Sequence, residues 1–421
     1  MRALLGRLLG AAPHELPALG WAFVYFFLLL CSYYVLRPVR DALAVEAGTQ
    51  ALQWLFSATF AAMLALVPAF GWLCARLPRA KLLPAVYGFF VLNLVGFSFS
   101  INASLFFVWL SVFNLFAVSV FWSFMSDLFD TAQAARLYGV IAAGGSCGAI
   151  AGPALTALSA ESLGAANLLL LSAALLVASI GCIAMLARWA RAHPRAGDPP
   201  AEAPIGGSIL AGVRAALGSP FLLAICGYLL CYTALSTALY FQQIEIVRDA
   251  VADPSERTRL FATVDLTVNG LTLLVQVFGF ARLTALLGMT WMLALMPLVS
   301  VAGFLWLGAA PVLAVLIAFG VTRRVGEFAI SKPARETLFT VVPREDRYKA
   351  KNFIDTVVYR GGDALTGWAF GALRGLGLGI SAIAYLAVPL AAVWLAVGSW
   401  LGLRQAQLRA SLDGYRPRAI S

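Results

Sequence analysis

Histidine and charge are what this chain has least of. Only two histidines, His14 and His193, occur in 421 residues, and neither lies in a long apolar run. A histidine metal centre is therefore excluded. So are a Ser-His or Cys-His nucleophile pair and a helix-borne His-Glu-x-x-His, so no enzyme and no cofactor are expected. The six cysteines (Cys31, Cys74, Cys147, Cys182, Cys226 and Cys231) lie in or beside apolar runs without metal-ligand spacing and read as small buried residues. Charged residues reach only 12 %, roughly half of the ~25 % usual in soluble domains. What is abundant is apolar: 61 % of residues are hydrophobic and the mean hydropathy is +0.86. A chain this apolar is solvated by lipid.

Runs of about 20 apolar residues, the length that crosses a bilayer, place twelve spans. They lie near 17–38, 51–75, 82–101, 104–126, 137–159, 165–187, 220–241, 261–281, 289–308, 311–334, 352–373 and 378–402. The first is too long, and too closely followed by others, to be a cleaved signal peptide. The basic stretch Met1–Gly10 reads as an amphipathic piece on the membrane surface. A net charge of +10 raises the question of nucleic acid, but its distribution answers it. Most of the 30 basic residues fall in the even-numbered loops and the two tails, and only Arg37, Arg40, Arg248, Arg257, Arg259 and Arg374 fall on the other side. This is the positive-inside pattern of an inner-membrane protein with both termini in the cytoplasm, and no nucleic-acid partner is expected.

The longest connection, 188–208, is rich in Pro, Gly, Ala and charge and reads as a cytoplasmic linker. It divides the chain into an N-terminal six-helix bundle (1–187) and a C-terminal one (209–421). The halves echo each other. Ala75-Arg76-Leu77 after span two matches Ala281-Arg282-Leu283 after span eight, and Leu128-Phe129 before span five matches Leu338-Phe339 before span eleven. The expected fold is all-α integral membrane, with twelve transmembrane helices in two six-helix pseudo-repeat bundles like those of major facilitator transporters.

Charge inside a span costs roughly 2.5–3.5 kcal/mol on insertion scales, so it marks a pathway, a substrate or a switch. On span one, Tyr33, Arg37, Arg40 and Asp41 share about one helical face, with Pro38 between the arginines. The bland reading of these arginines is an anchor among lipid phosphates. On span eight, Asp265, Asn269, Thr272 and Gln276 form a narrow polar stripe, either a wet surface or an interhelical hydrogen-bond seam. Arg323 and Arg324 lie about 12 residues into span ten, roughly 18 Å along its axis, which is near mid-membrane. Glu327 follows one turn later, placed to pair with Arg323. Span eleven carries Asp355, Arg360 and Asp363 at similar depth. A lattice of ion pairs joining spans ten and eleven is the bland reading. Against it, cations outnumber acids at this depth, and surplus guanidinium groups in a dry bundle are very costly. An anion such as phosphate or carboxylate would satisfy them. Gly144-Gly145-Ser146 has no following Gly-Lys-Ser/Thr, so the run Gly144, Gly145, Gly148, Gly152 reads as a side-chain-free face for helix contact, not a phosphate loop.

Three patches resemble one family. Leu36-Arg37-Pro38-Val39-Arg40-Asp41 is similar to the end of the first span in the ATP/ADP translocase (nucleotide transporter) family, with Arg40 at a position where that family has lysine. Trp122-Ser123-Phe124 with Asp127 resembles its Trp-x-Phe stretch, and Lys349-Ala350-Lys351 through Ile354-Asp355 resembles the stretch leading into span eleven. The resemblance implies a major facilitator-type fold that exchanges nucleotides, with Arg40, Asp127 and Lys351 as substrate or gating residues.

The expected function is alternating-access transport of an anionic phosphorylated metabolite by a monomer in the bilayer, with ATP:ADP antiport as its specific form. Arg37, Arg40, Asp41, Asp127, Asp265, Asn269, Arg323, Arg324, Glu327, Lys351, Asp355, Arg360 and Asp363 are its candidate site residues, and Tyr33, Tyr228, Tyr232 or Tyr240 could stack on a base. One alternative is a proton-coupled carrier using Asp127, Asp265 and Asp363. Another is a membrane scaffold or lipid-handling protein that transports nothing.

Overall fold

In the computed structural model, residues 12–76, 79–193, 214, 217–278, 280–342, 350–351 and 353–414 are described, and the amphipathic stretch 1–10 lies outside them. Every regular element among these residues is helical: α1 (Leu16–Arg76), α2 (Arg79–Phe99), α3 (Ala103–Leu128), α4 (Thr131–Ala192), α5 (Pro220–Ala250), α6 (Pro254–Phe278), α7 (Phe280–Ala309), α8 (Leu313–Gly326), α9 (Lys332–Leu338), α10 (Tyr359–Gly375) and α11 (Ile380–Gly414). A π-helical turn, Glu327–Ser331, joins α8 to α9, and a second, Ile354–Val358, leads into α10. Seven helical stretches among the described residues are long and apolar enough to cross a membrane.

Two of these rods are far too long for one crossing. A continuous helix of 61 or 62 residues would run about 90 Å, three times the hydrocarbon thickness. Glycine ends each one midway. Gly48 (φ 77°, ψ 169°) in α1 and Gly164 (φ 69°, ψ 170°) in α4 adopt a backbone region essentially closed to other residues. Pro38 does not interrupt α1, which stays helical through it.

The chain forms two compact units. One comprises 1–47, 61–199 and 251–269; the other comprises 48–60, 200–250 and 270–421. These differ from a clean division at the linker. The first residues after Gly48 group with the C-terminal half, and the start of α6 groups with the N-terminal half. Arg188–Ala192 still belong to α4, and of the remaining linker only His193 is described.

In the first unit the glycines of α4 lie directly on α1. A Cβ at Gly144 would sit 2.4 Å from the Phe23 carbonyl oxygen, at Gly148 2.3 Å from that of Phe27, and at Gly152 2.7 Å from that of Cys31. The side-chain-free face expected from sequence is therefore a backbone-to-backbone contact. Ser32 and Ser172 extend it, each hydroxyl donating to the other's carbonyl at 3.0 and 2.9 Å. Of the cysteines, Cys31, Cys182, Cys226 and Cys231 are buried as expected, but Cys147 is exposed. It sits between Ser146 and Gly148, and at 100° per residue the helix turns it away from the α1 contact.

In the second unit α11 closes on α7 just as tightly, with a Cβ at Gly402 falling 2.4 Å from the Thr290 Cα. Tyr228, Tyr232 and Trp394 fill the space beside this contact.

Candidate functional site

Each unit gathers its own group of polar residues. In the first, Arg37 on α1 meets Asp265 on α6, with Nη1 3.5 Å from Oδ1. Asp265 is fully buried and Arg37 half-buried. Arg40 turns instead to its neighbour, its Nε and Nη2 donating to Asp41 Oδ1 at 3.0 and 2.7 Å, and its guanidinium lies 5.0 Å over the Phe107 ring. One turn beyond Asp265, Asn269 donates to the Ala149 carbonyl at 2.6 Å. Farther along α6, in the second unit, Gln276 donates to the Phe328 carbonyl at 3.1 Å. These two side chains make the seam-type contacts foreseen as one reading of the stripe. Asp127 is exposed in the last turn of α3.

The second unit holds the denser cluster. Arg323, at 4 % exposure, is the most informative residue in it. Its Nη1 donates to Ser236 Oγ at 2.7 Å, its Nη2 to the Tyr232 carbonyl at 3.2 Å, and its carbon Cζ lies 5.3 Å from the Tyr232 ring centroid. Its Nε–H has no acceptor, and no carboxylate among the described residues forms an ion pair with it. Burying an ion without a close partner costs several kcal/mol, and this guanidinium keeps one unused donor, its Nε–H. Arg335 lies on another side of the same ring, 5.9 Å from its centroid.

Glu327 does not pair with Arg323, contrary to the i,i+4 expectation. Its Oε1 faces Arg335 Nη1 at 3.5 Å, and its Oε2 is buried without a hydrogen bond. The π turn that starts at Glu327 accounts for its meeting with Arg335. Residues eight apart on a regular α-helix are about 80° out of line at ~100° per residue. A turn that takes up one extra residue brings them back into register.

Around this core, Tyr228 donates to the Leu293 carbonyl at 3.0 Å and lies 3.3 Å from Ser331 Oγ. On α10, Arg360 pairs with Asp363 at 3.6 Å, and Asp363 accepts from Thr237 at 2.8 Å. Lys351 forms a short ion pair with Glu336 and lies 5.6 Å from the Phe339 ring centroid. Arg324 is half-buried in α8, and Asp355 falls within the second π turn. The ion pairs Glu327–Arg335 and Arg360–Asp363 thus run within the length of one helical rod each, whereas the sequence suggested pairs joining spans ten and eleven. Arg360 and Asp363 meet at the ordinary i,i+3 spacing, and Glu327 and Arg335 meet through the π turn.

Sequence reasoning passed over Ser236, Thr237 and the role of Arg335. Thr233, Ser236 and Thr237 form an i, i+3, i+4 polar stripe in an apolar helix. The criterion that singled out α6 would have found it.

Residues 22–248 match the Major Facilitator Superfamily, and the chain belongs to that superfamily of membrane transporters. No curated protein matches its sequence. Three solved structures share the fold. A bacterial homologue of the human lysosomal transporter Spinster, inward-facing and unoccupied, is 15 % identical, with 95 % of this chain and 98 % of that chain covered at a TM-score of 0.62. A mutant of the nucleoside transporter NupG is 13 % identical, with 93 % and 99 % covered and the same score. A POT family transporter in complex with a thioalcohol-conjugated peptide is also 13 % identical, with 93 % and 96 % covered at 0.60.

Proposed function

We propose that this chain is a twelve-span, alternating-access carrier that exchanges anionic phosphorylated metabolites, nucleotides in particular, across a bacterial inner membrane. The breaks at Gly48 and Gly164 support the count, because each turns one over-long rod into two of membrane-crossing length. Termini in the cytoplasm follow from the positive-inside distribution of Arg and Lys. The working species is a monomer whose two six-helix bundles rock against each other.

Arg323 carries the substrate class. A buried guanidinium with a spare Nε–H and no ion-paired carboxylate among the described residues is matched by an anion that arrives and leaves with the transport cycle. Tyr232 and Tyr359, with ring centroids 6.1 Å apart beside it, offer aromatic faces of the kind that accept a base. The likeness of Arg37–Asp41 and Lys349–Asp355 to nucleotide translocases gives the specific form. Nucleoside, peptide and Spinster-type carriers share this fold at 13–15 % identity, so the substrate must be read from the site and not from the architecture.

Proteoliposomes loaded with ADP should take up labelled ATP, and unloaded ones should not. Arg323→Gln should abolish uptake while leaving the protein folded. Uptake that is independent of internal ADP and collapses with an uncoupler would favour a second reading, a proton-coupled carrier. Buried Asp265 and Asp363, each facing an arginine at 3.5–3.6 Å, are the observation behind that reading.

A further inference from the structure

Arg323 and Glu327 are four residues apart, both are 4 % exposed, and each has one polar atom with no partner. Arg323 lacks an acceptor at Nε, and Glu327 lacks a donor at Oε2. The two groups are complementary, yet they form no hydrogen bond or ion pair; the π turn Glu327–Ser331 brings Arg335 into register and the carboxylate faces it. The backbone from Arg323 to Glu327 is regular α, the Glu327 N–H donating to the Arg323 carbonyl, so the i,i+4 spacing keeps Glu327 within reach of Arg323. One carboxylate therefore has two arginines in reach along a single rod. The turn between them is of a kind often found at functional sites inside α-helices.

We infer that Glu327 is a resident counter-ion that competes with the transported anion for Arg323, and that Arg335 holds it aside when the anion binds. The inference rests on the reading of Arg323 as the anion-binding group. Without substrate, Glu327 turns to Arg323 and neutralises the buried charge. With substrate, a phosphate or carboxylate oxygen takes the Nε–H, and Glu327 is retained by Arg335. Arg335 is then a positioning residue, acting on the anion through Glu327.

The test is titration of the purified full chain with ADP and, separately, inorganic phosphate. Glu327→Gln, which removes the competitor, should tighten binding about tenfold, equivalent to about 1.4 kcal/mol. Arg335→Gln, which frees the competitor, should weaken it by a similar factor. In the Glu327→Gln background, Arg335→Gln should have almost no further effect, because Arg335 acts only through the carboxylate. Unchanged or weaker binding by Glu327→Gln, with Arg323→Gln still abolishing binding, overturns the competition and leaves the anion site standing. An Arg335→Gln loss that persists in the double variant assigns Arg335 a direct contact and also overturns it. Binding that survives Arg323→Gln, or its absence from the wild type with both probes, removes the anion site and the inference together. If Glu327→Gln does not fold, weakening by Arg335→Gln that Glu327→Ala relieves supports the same conclusion, and weakening that Glu327→Ala leaves in place refutes it.

Discussion

The contact between α1 and α4 makes a prediction whose sign opposes ordinary helix propensity. Gly→Ala in a helix interior normally stabilises, by about 0.8–1.0 kcal/mol. At Gly148 the added methyl would sit 2.3 Å from the Phe27 carbonyl oxygen and 2.9 Å from the Cys31 backbone nitrogen. Unstrained carbon-to-oxygen contacts lie at about 3.3–3.6 Å, so the two backbones must part by roughly 1 Å. Neither obstacle is the end of a flexible side chain. Overpacking of this kind costs about 1–3 kcal/mol before neighbouring contacts are counted. Gly148→Ala should therefore destabilise, by an amount that outweighs the propensity gain. Gly181→Ala, on the same element with nothing within 4 Å of its Cβ, should be neutral or stabilising. Thermal midpoints of the two variants in one detergent decide the matter. A Gly148→Ala midpoint at or above that of Gly181→Ala would show that the helices are not in backbone contact.

Two further outcomes follow from the first unit. Breaking a buried pair costs about 3–5 kcal/mol when one partner is removed. Asp265→Asn should thus lower stability to chemical denaturation more than Arg37→Gln with Asp265→Asn together, and a double variant no better than the single would refute the pair. Glu15, just before α1, is 2 % exposed. Burial by itself would push its carboxyl up, but the Ala12 N–H, Arg136 and Gln133 together hold it below its ordinary value of 4.5. An acid with a depressed folded value stabilises the fold at pH above its unfolded value, and that stability is lost as pH falls through the folded one. Glu15→Gln should flatten the fall in unfolding midpoint below about pH 4.5, and an unchanged acid limb would show that the contacts around Glu15 do not matter.

How much of this was legible in the sequence depends on how far each feature reaches along the chain. Apolar runs and the Gly144–Gly152 stripe are local, so an all-helical fold and a close helix contact at that stripe were legible, but not that α1 is the partner. Exchange of the segments after Gly48 and before Gly270 was not legible, because it reflects which helix ends meet and not what either contains. The buried cluster falls between these cases. Arg323, Glu327 and Arg335 were visible as charges, but their pairing turned on a π turn. No residue pattern in Glu327-Phe328-Ala329-Ile330-Ser331 announces that turn, and it changes the partner of Glu327 without moving any residue in the sequence. The sequence shows which residues are charged, and the backbone decides which of them meet.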